Sequence, residues 1–220
     1  MKGPIIMPDP LPDHLSALRV YQFTEELMSK APTPGGGGTA ALIGSLAAAL
    51  AAMATNLTIG KKKFLPFEQD HLSIIAETDT LRLRLLELMD EDAAAFEPLS
   101  RVYSLDKNAP GYARQLESAT LNACKAPCEM MECCCRLIIL LEDLREKCSV
   151  LLLSDVGCAA LAARCALESA SMNVFVNTRM LPDCAEAKTL STKAQAMLED
   201  YLPRARAVAD SVMNYLRTTK

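Results

Sequence analysis

The chain has 220 residues and a formal net charge of −4 at pH 7, with 50% hydrophobic, 23% charged and 5% aromatic residues. This mixture is typical of a globular chain, and the length suits one domain. The negative charge, without any basic patch carrying interleaved aromatic residues, argues against non-specific nucleic-acid binding. Ala, Leu and Met dominate the apolar residues, which favours helices over strands.

The N-terminal part of the chain predicts an irregular arm followed by a helix. Residues 1–12 contain four prolines and too few apolar residues for a signal peptide. A first helix is predicted over residues 13–30, with Asp13 as its N-cap. We expect residues 13–220 to form one helical domain.

A segment rich in proline and glycine precedes the second predicted helix. Its centre is the glycine run, which we define as Gly35, Gly36, Gly37 and Gly38, and Pro34 stands directly before it. Successive backbone N–H groups at the start of a helix bind anions or the polar edge of a ligand. A plain close-packing turn is the alternative. The segment has neither the lysine of a P-loop nor the preceding strand of a dinucleotide-binding motif.

Residues 39–59 carry no charge and are long enough to cross a bilayer. The large side chains form one stripe and the other residues are small, which predicts the central helix of a soluble bundle rather than a membrane span. Gly60 is expected to end this helix. The lysine triplet, defined as Lys61, Lys62 and Lys63, follows it. The stripe consists of Leu42, Leu46, Leu50, Met53 and Leu57.

The third predicted helix has a regular seam with one carboxylate in it. A buried, unpaired carboxylate is costly, so Asp92 either pairs with an arginine or lysine or faces a polar cavity. Burial raises the pKa of a carboxyl group towards the range useful for proton transfer. The seam consists of Ile74, Thr78, Leu81, Leu85, Leu88, Asp92, Ala95 and Leu99.

The rest of the chain predicts three further helices. One follows a break over residues 106–111 and contains Pro127, which should kink or split it. The next runs from Ser154, a natural N-cap, to Asn177, and the last follows residue 183 and is bent or interrupted at Pro203. In total we predict an all-α, up-and-down bundle of five to seven helices, some of them long and kinked at proline.

Polar residues on the predicted fifth helix have two interpretations each. Asp155 lies in the first turn, where a carboxylate stabilises the helix dipole, but it is also a candidate catalytic group. Asn173 and Asn177 are one turn apart on one face. Their amides either hydrogen-bond a heterocycle or bridge helices.

Nine cysteines and two histidines suggest a metal site, but their spacing does not support one. No C-x-x-C pair occurs, and the spacings match neither zinc nor iron–sulfur patterns. We therefore predict no metal, with reduced cysteines as small core residues of a cytoplasmic protein. A cysteine-rich redox or metal carrier remains a weaker alternative.

Several of these segments together resemble a known family. They are similar to the cyclodeaminase domain of formiminotransferase-cyclodeaminase and to stand-alone methenyltetrahydrofolate cyclohydrolases. The resemblance implies a helical bundle that dimerises, with a folate site near the subunit interface and no metal or nucleotide cofactor. The matching segments are APTPGGGGTAA at 31–41, TIGKKK at 58–63, DAAAF at 92–96 and SDVGCAA at 154–160, followed by Asn173, Val174 and Asn177.

The resemblance also implies roles for the candidate residues. Asp92 and Asp155 would be the acid/base and cation-stabilising groups, while Pro34, the glycine run and Asn173 or Asn177 would hold the pterin. The lysine triplet would meet the glutamate tail, which can be polyglutamylated. The family often has Ser in place of Gly38, and the segment over residues 148–153 is more apolar here than is usual.

Two activities stay open at this point, because both act on the same carbon of the substrate. A cyclodeaminase converts 5-formiminotetrahydrofolate into the 5,10-methenyl compound with loss of ammonia, whereas a cyclohydrolase adds water to that compound. The alternative from another class is a non-catalytic helical folate-binding or scaffold protein. Convergence of Asp92, Asp155 and the glycine run on one cleft would favour an enzyme.

Overall fold

Helices account for the regular structure of the chain in the computed structural model, which describes residues 14–218. The arm predicted over residues 1–12 and the N-cap Asp13 lie outside this part. No strand occurs within residues 14–218, and the all-α prediction of five to seven helices is confirmed. The helices are α1 (Val20–Leu27), α2 (Gly36–Asn56), α3 (Glu68–Tyr103), α4 (Tyr112–Lys147), α5 (Leu153–Thr178) and α6 (Ala185–Thr218), with 3-10 turns at Leu15–Ala17, Lys62–Phe67 and Val150–Leu152.

Helices α2 to α5 form an up-and-down bundle, and α6 packs against α4 and α5. Arg84 of α3 pairs with Glu129 of α4 at 2.6 Å, which sets the antiparallel register of these helices. Arg204 of α6 pairs with Glu142 of α4 at 2.6 Å, and this places α6 parallel to α4. One hydrophobic core contains residues of all six helices. The two long helices α3 and α4 extend past the start of α2 and the end of α5.

Helix α2 packs through its small residues rather than through its predicted stripe. Its Ala and Gly face is buried against α3 and α5. Three of the five side chains of the stripe point outwards, and the exposed fractions of Leu46, Met53 and Leu57 are 56%, 38% and 52%. Small side chains allow backbones to approach closely, whereas leucines would separate the three helices. Leu42 and Leu50 of the same stripe are half-buried and pack against the core, and the prediction of a central bundle helix closely approached by its neighbours agrees with this arrangement.

The first predicted helix, residues 13–30, is wrong in its extent. Within the described residues it is replaced by the 3-10 turn Leu15–Ala17 and the eight-residue α1. Asp90 of α3 accepts hydrogen bonds from the Leu15 backbone N–H at 2.7 Å and from the Ser16 hydroxyl at 2.6 Å. These bonds hold the segment on α3 in a conformation that a continuous helix does not provide.

Two predicted helix boundaries, at Gly60 and Ser154, differ from the structure, and neither helix that contains an internal proline is divided by it. Pro127 and Pro203 lie inside the unbroken helices α4 and α6, so neither proline splits its helix. Each proline removes one backbone donor, and packing along a long helix compensates for that loss. Gly60 adopts a left-handed φ of 77° in a turn beyond α2, which already ends at Asn56. Ser154 lies in the first turn of α5, whose N-cap is Leu152.

Two segments are long and apolar enough to span a membrane by length and composition, Gly36–Asn56 and Val150–Thr178. About half of each is buried inside the bundle, 56% and 44% of the most apolar window. Both therefore combine a face that packs against other helices with an apolar face that is exposed on a single chain.

Most of the cysteines lie in the core. Cys133, Cys134 and Cys135 are buried in α4, and burial raises the pKa of the Cys124 thiol to about 12. Such thiols are protonated at neutral pH and behave as small apolar side chains. Within residues 14–218 no group of three or more His, Cys, Asp or Glu side chains is placed to hold a metal ion.

We predict that Ala48→Leu destabilises the protein strongly. Ala48 is fully buried where α2 meets its neighbours, and three added carbon atoms would force the helices apart at a cost of about 1–3 kcal/mol. Ala76→Leu on the exposed face of α3 is the matched control and should change the melting temperature little. Equal melting temperatures for the two variants would contradict the packing described for α2.

Candidate active site

The glycine run forms the N-terminus of α2. Gly35 is the N-cap, and Gly36 to Gly38 make up the first turn, so the run is not the open loop expected from the sequence. The first N–H groups of a helix have no intrahelical partner and carry partial positive charge. Thr39 marks the first closed turn, because its N–H donates to the Gly35 carbonyl at 3.0 Å. The N–H groups before it are available to a ligand or to a side chain.

Asp92 of α3 lies directly opposite this helix start. A Cβ atom added at Gly37 would stand 2.6 Å from the carboxylate carbon of Asp92, closer than real Cβ atoms approach other heavy atoms. Only glycine leaves room for the carboxylate there. Burial raises the pKa of Asp92 to about 6, and the backbone N–H of Gly38 opposes the rise because it favours the ionised form.

No basic side chain compensates the charge of Asp92. Among the described residues, no Lys, Arg or His nitrogen lies within 4.0 Å of its carboxylate. The acidic neighbours do have partners, since Asp90 binds the segment before α1 and Glu91 pairs with Arg84 at 2.6 Å. The alternative in which Asp92 belongs to a buried ion pair is therefore wrong for this part of the chain.

Asn173 and Asn177 of α5 approach the same helix start. A Cβ atom at Gly36 would lie 3.6 Å from the Asn173 amide, which is an ordinary contact. The Asn173 amide N–H donates to the Ser169 carbonyl at 2.9 Å, and that of Asn177 donates to the Ala123 carbonyl at 3.2 Å. Both amide groups are thereby oriented, and each amide oxygen is left to accept hydrogen bonds from a ligand.

These groups surround a cavity of about 180 Å³. Of the residues proposed from the sequence, Gly35, Gly36, Gly37, Asp92, Asn173 and Asn177 line it. Pro34 and Gly38 do not, because Pro34 is buried behind the helix start and packs 3.5 Å from the position of a Gly38 Cβ.

Six further lining residues were missed by the sequence analysis. Two of them had a usable signal: Phe96 is one turn after Asp92, and Val176 lies between the two asparagines. Pro32 and Thr33 come shortly before the glycine run and Leu99 follows Asp92 in the same seam, whereas Ala123 of α4 is brought to the cavity only by the tertiary structure. The six are Pro32, Thr33, Phe96, Leu99, Ala123 and Val176. A larger groove of about 900 Å³ along the end of α3 and the start of α4 contains none of the proposed site residues.

Asp155 and the lysine triplet lie at the other end of the bundle. Asp155 is in the first turn of α5, about 27 Å from Asn173 at 1.5 Å per residue. The lysine triplet follows α2, about 30 Å from the glycine run. A hydrogen bond of 3.0 Å from the Ser149 N–H to the Thr58 hydroxyl joins these two segments. Within one chain, the expectation that Asp92 and Asp155 converge on one cleft is therefore wrong. Helices α2 and α5 are antiparallel and each spans the bundle, so the start of α5 with Asp155 lies at the end opposite to the start of α2.

Fold and site together define a class of protein. It is a helical bundle in which a helix that begins with glycines, a half-buried carboxylate and two amides enclose a small polar cavity. Residues 19–196 match the family described as formiminotransferase-cyclodeaminase, and the chain belongs to this family. The resemblance seen in the sequence motifs is thereby confirmed.

Three relatives show how the chain compares with known proteins. It is 36% identical over 185 residues to methenyltetrahydrofolate cyclohydrolase of Methylorubrum extorquens, covering 82% of this chain and 89% of that protein. It is 26% identical to formimidoyltransferase-cyclodeaminase of Mus musculus, matching 94% of this chain but only 39% of that longer protein. The crystal structure of formiminotetrahydrofolate cyclodeaminase from Thermotoga maritima superposes with a TM-score of 0.81 at 26% identity, covering 91% of this chain and all of that one.

We predict that Asp92→Asn folds but loses on the order of a hundredfold in turnover, the usual size of an acid/base contribution. Asparagine retains the shape and can still accept from Gly38, but it cannot exchange a proton. Turnover of the unchanged protein should rise with pH through an apparent pKa near 6, as Asp92 becomes ionised. Near-normal turnover of a well-folded Asp92→Asn protein would exclude this role.

The same variant should stabilise the protein at neutral pH. Because burial raises the pKa of Asp92 from 3.8 to about 6, the protonated form is favoured in the folded state. The contribution of Asp92 to folding stability is fully present below pH 4. It falls by on the order of 2–3 kcal/mol as the pH rises through 6. The melting temperature of Asp92→Asn should exceed that of the unchanged protein at pH 7.5, and the advantage should shrink at pH 4. A lower melting temperature at pH 7.5 would instead indicate a structural role for the carboxylate.

We predict that Gly37→Ala lowers turnover at least tenfold, because the new methyl group displaces the Asp92 carboxylate. Gly36→Ala is the matched control: it lies in the same helical turn, gains the same helix propensity and makes only an ordinary contact with Asn173. It should retain turnover, although the Michaelis constant can change. If Gly37→Ala and Gly36→Ala lose turnover equally, displacement of the Asp92 carboxylate at Gly37 does not explain the loss.

Proposed function

We propose that this protein is a folate one-carbon enzyme that forms or hydrolyses 5,10-methenyltetrahydrofolate. The observation that carries the proposal is the half-buried carboxylate of Asp92, which has no ion pair among the described residues and opens on a cavity with two oriented amides. Stability alone would favour an apolar residue there. Relatives of this chain are named for these two reactions.

Asp92 would move the proton in both reactions. In cyclodeamination, N10 attacks the formimino carbon, Asp92 takes the N10 proton, and the same proton goes to the nitrogen that leaves as ammonia. In cyclohydrolysis, Asp92 takes a proton from the water that attacks the methenyl carbon and returns it to N5 as the C–N5 bond breaks. The remaining hydroxyl proton of the adduct is released to solvent as the C=O bond of the 10-formyl product forms. Asp92 is the one titratable group among the described residues that line the cavity, so it would serve both steps. Its ionised form also stabilises the methenyl cation.

The remaining groups of the cavity would hold the pterin. Helix N-terminal N–H groups at Gly36 and Gly37 donate, while the amide oxygens of Asn173 and Asn177 accept. A pterin edge carries both donors and acceptors, and this mixture matches it. Phe96 and Leu99 supply the apolar surface that a flat ring requires. Pro34 and Gly38 would act indirectly, by positioning the helix start.

We further propose an oligomeric state, a form of the substrate, the absence of a cofactor and a cellular location. The exposed leucine and methionine side chains of α2 favour a homodimer, because contiguous apolar patches of this kind are uncommon on monomers. The lysine triplet suits a polyglutamylated substrate, since its three ammonium groups have no carboxylate within 4.0 Å among the described residues.

We propose that neither a metal nor a nucleotide cofactor takes part, because Asp92 can perform the proton transfers. A cytoplasmic location would suit the many unpaired thiols.

The decisive assay offers 5-formiminotetrahydrofolate and 5,10-methenyltetrahydrofolate separately to one preparation and follows the methenyl chromophore. We expect hydrolysis of the methenyl compound to be the faster reaction, because the relative matched over 89% of its length is a cyclohydrolase. Asp92→Asn serves as the background control. Tight folate binding without turnover would favour the non-catalytic alternative, and absence of both binding and turnover would exclude a folate function.

A further inference from the structure

Three prolines lie inside the α-helices of the described residues, namely Pro98 in α3, Pro127 in α4 and Pro203 in α6. A proline has no backbone N–H, so the carbonyl four residues earlier loses the donor that it has in a regular helix. Pro98 and Pro203 are exposed, as are the residues four positions before them, so water can reach the freed carbonyls. Pro127 is buried, and so is Ala123, four positions before it. The Ala123 carbonyl therefore needs a donor from within the protein.

The side chain of Asn177 on α5 supplies that donor. Its amide nitrogen lies 3.2 Å from the Ala123 carbonyl oxygen, although the two residues are 54 positions apart in the sequence. Ala123 and Asn177 both line the cavity that contains the Asp92 carboxylate. The carbonyl that Pro127 leaves without a helical donor thus anchors a side chain of the candidate active site.

This contact determines which atom of the Asn177 amide is offered to a ligand. A carbonyl oxygen can only accept a hydrogen bond, so the NH2 group must face Ala123 and the amide oxygen is left as an acceptor. Asn173 is different, because its amide donates to the Ser169 carbonyl of its own helix at 2.9 Å. An amide without such an anchor can rotate by about 180° and present either group. The acceptor character of Asn177 therefore depends on the Ala123 carbonyl of α4.

We propose that Pro127 is a positioning residue of the site, because its missing N–H keeps the Ala123 carbonyl free to hold Asn177 as a hydrogen-bond acceptor. Pro127 does not line the cavity and acts through Ala123. Any other residue at position 127 would donate its own N–H to that carbonyl within α4. The proline ring also crowds the carbonyl four residues earlier, which disfavours the direction along the helix axis. The role of Asn177 towards a pterin rests on the proposed function, whereas the contact itself does not.

The stability of α4 gives no reason for a proline at this position. Proline is the least favourable residue in a helix interior and alanine the most favourable. Helix α4 continues from Pro127 to Lys147, so the proline does not mark a helix end. Replacement by alanine should therefore favour the helix and impair the site. A residue with a purely structural role would show the opposite pattern.

Steady-state kinetics of Pro127→Ala with 5,10-methenyltetrahydrofolate test the proposal. We expect the Michaelis constant to rise on the order of fivefold, the usual contribution of one hydrogen bond, and the melting temperature not to fall. The kcat value should change by less than about twofold, because the lost contact holds the substrate and Asp92 is unaltered. Pro203→Ala is the matched control, since it removes an exposed helix proline that does not line the cavity. It should leave both kinetic constants unchanged.

A double-mutant cycle with Asn177→Ala identifies the residue through which Pro127 acts. Asn177→Ala alone should raise the Michaelis constant, and Pro127→Ala should add nothing in that background. Equal effects of Pro127→Ala with and without Asn177 would show that the proline acts elsewhere, and would overturn the proposal. A lower melting temperature of Pro127→Ala with an unchanged Michaelis constant would also overturn it, because the ring would then only fill space.

Nuclear magnetic resonance tests the contact even if the protein has no folate activity. The chain has six asparagines, so selective ¹⁵N-asparagine labelling gives a simple spectrum of side-chain amides, in which Asn177→Ala identifies the signals of Asn177. In Pro127→Ala these signals should shift more than those of Asn173, and Pro203→Ala should move neither pair. Unmoved Asn177 signals in Pro127→Ala would overturn the proposal. Shifted signals in a protein without folate turnover would support the contact and count against the proposed function alone.

Discussion

The rest of the structure depends on the close approach of α2 to α3 at Gly37. The Asp92 carboxylate occupies the space that a Cβ atom at Gly37 would fill. This contact excludes water from the carboxyl group and thereby raises its pKa, while the adjacent N–H of Gly38 limits the rise. The burial that raises the pKa of Asp92 towards neutral pH also lowers folding stability, because it disfavours the ionised carboxylate. Proton transfer near neutral pH at this position therefore has a cost in stability. The small residues along the remainder of α2 maintain this approach and bring α5, with its two asparagines, to the same point.

The packing of α2 has a second consequence for the surface of the molecule. When alanine and glycine are used to bring three helices together, most of the large side chains of the stripe are left on the outside. The hydrophobic effect then acts between molecules as well as within one. The two segments that are apolar enough for a membrane span are the two that share this exposed face. Their unusual composition is explained if one face serves the bundle and the other an interface between copies.

The two ends of the bundle have different chemical roles in this view. One end has backbone donors, amide oxygens and a carboxylate around a small cavity, which suits a polar heterocycle. The other end has three exposed ammonium groups, which suit an anionic tail, and it also carries Asp155. Because α2 and α5 are rigid and about 30 Å long, no local movement of a side chain can join these ends in one chain.

The sequence by itself determined the helical class, the family and half of the residues that line the cavity. Helical periodicity and turn residues are local signals, so Asp92 in its seam, the glycine run and the pair Asn173 and Asn177 could be found from spacing alone. Only the tertiary structure decided which of these residues meet. It separated Asp155 and the lysine triplet from Asp92, and it turned most of the stripe of α2 outwards. Residue spacing shows which side chains share a helix face, whereas the direction of that face and the end of the bundle it occupies depend on contacts between distant segments.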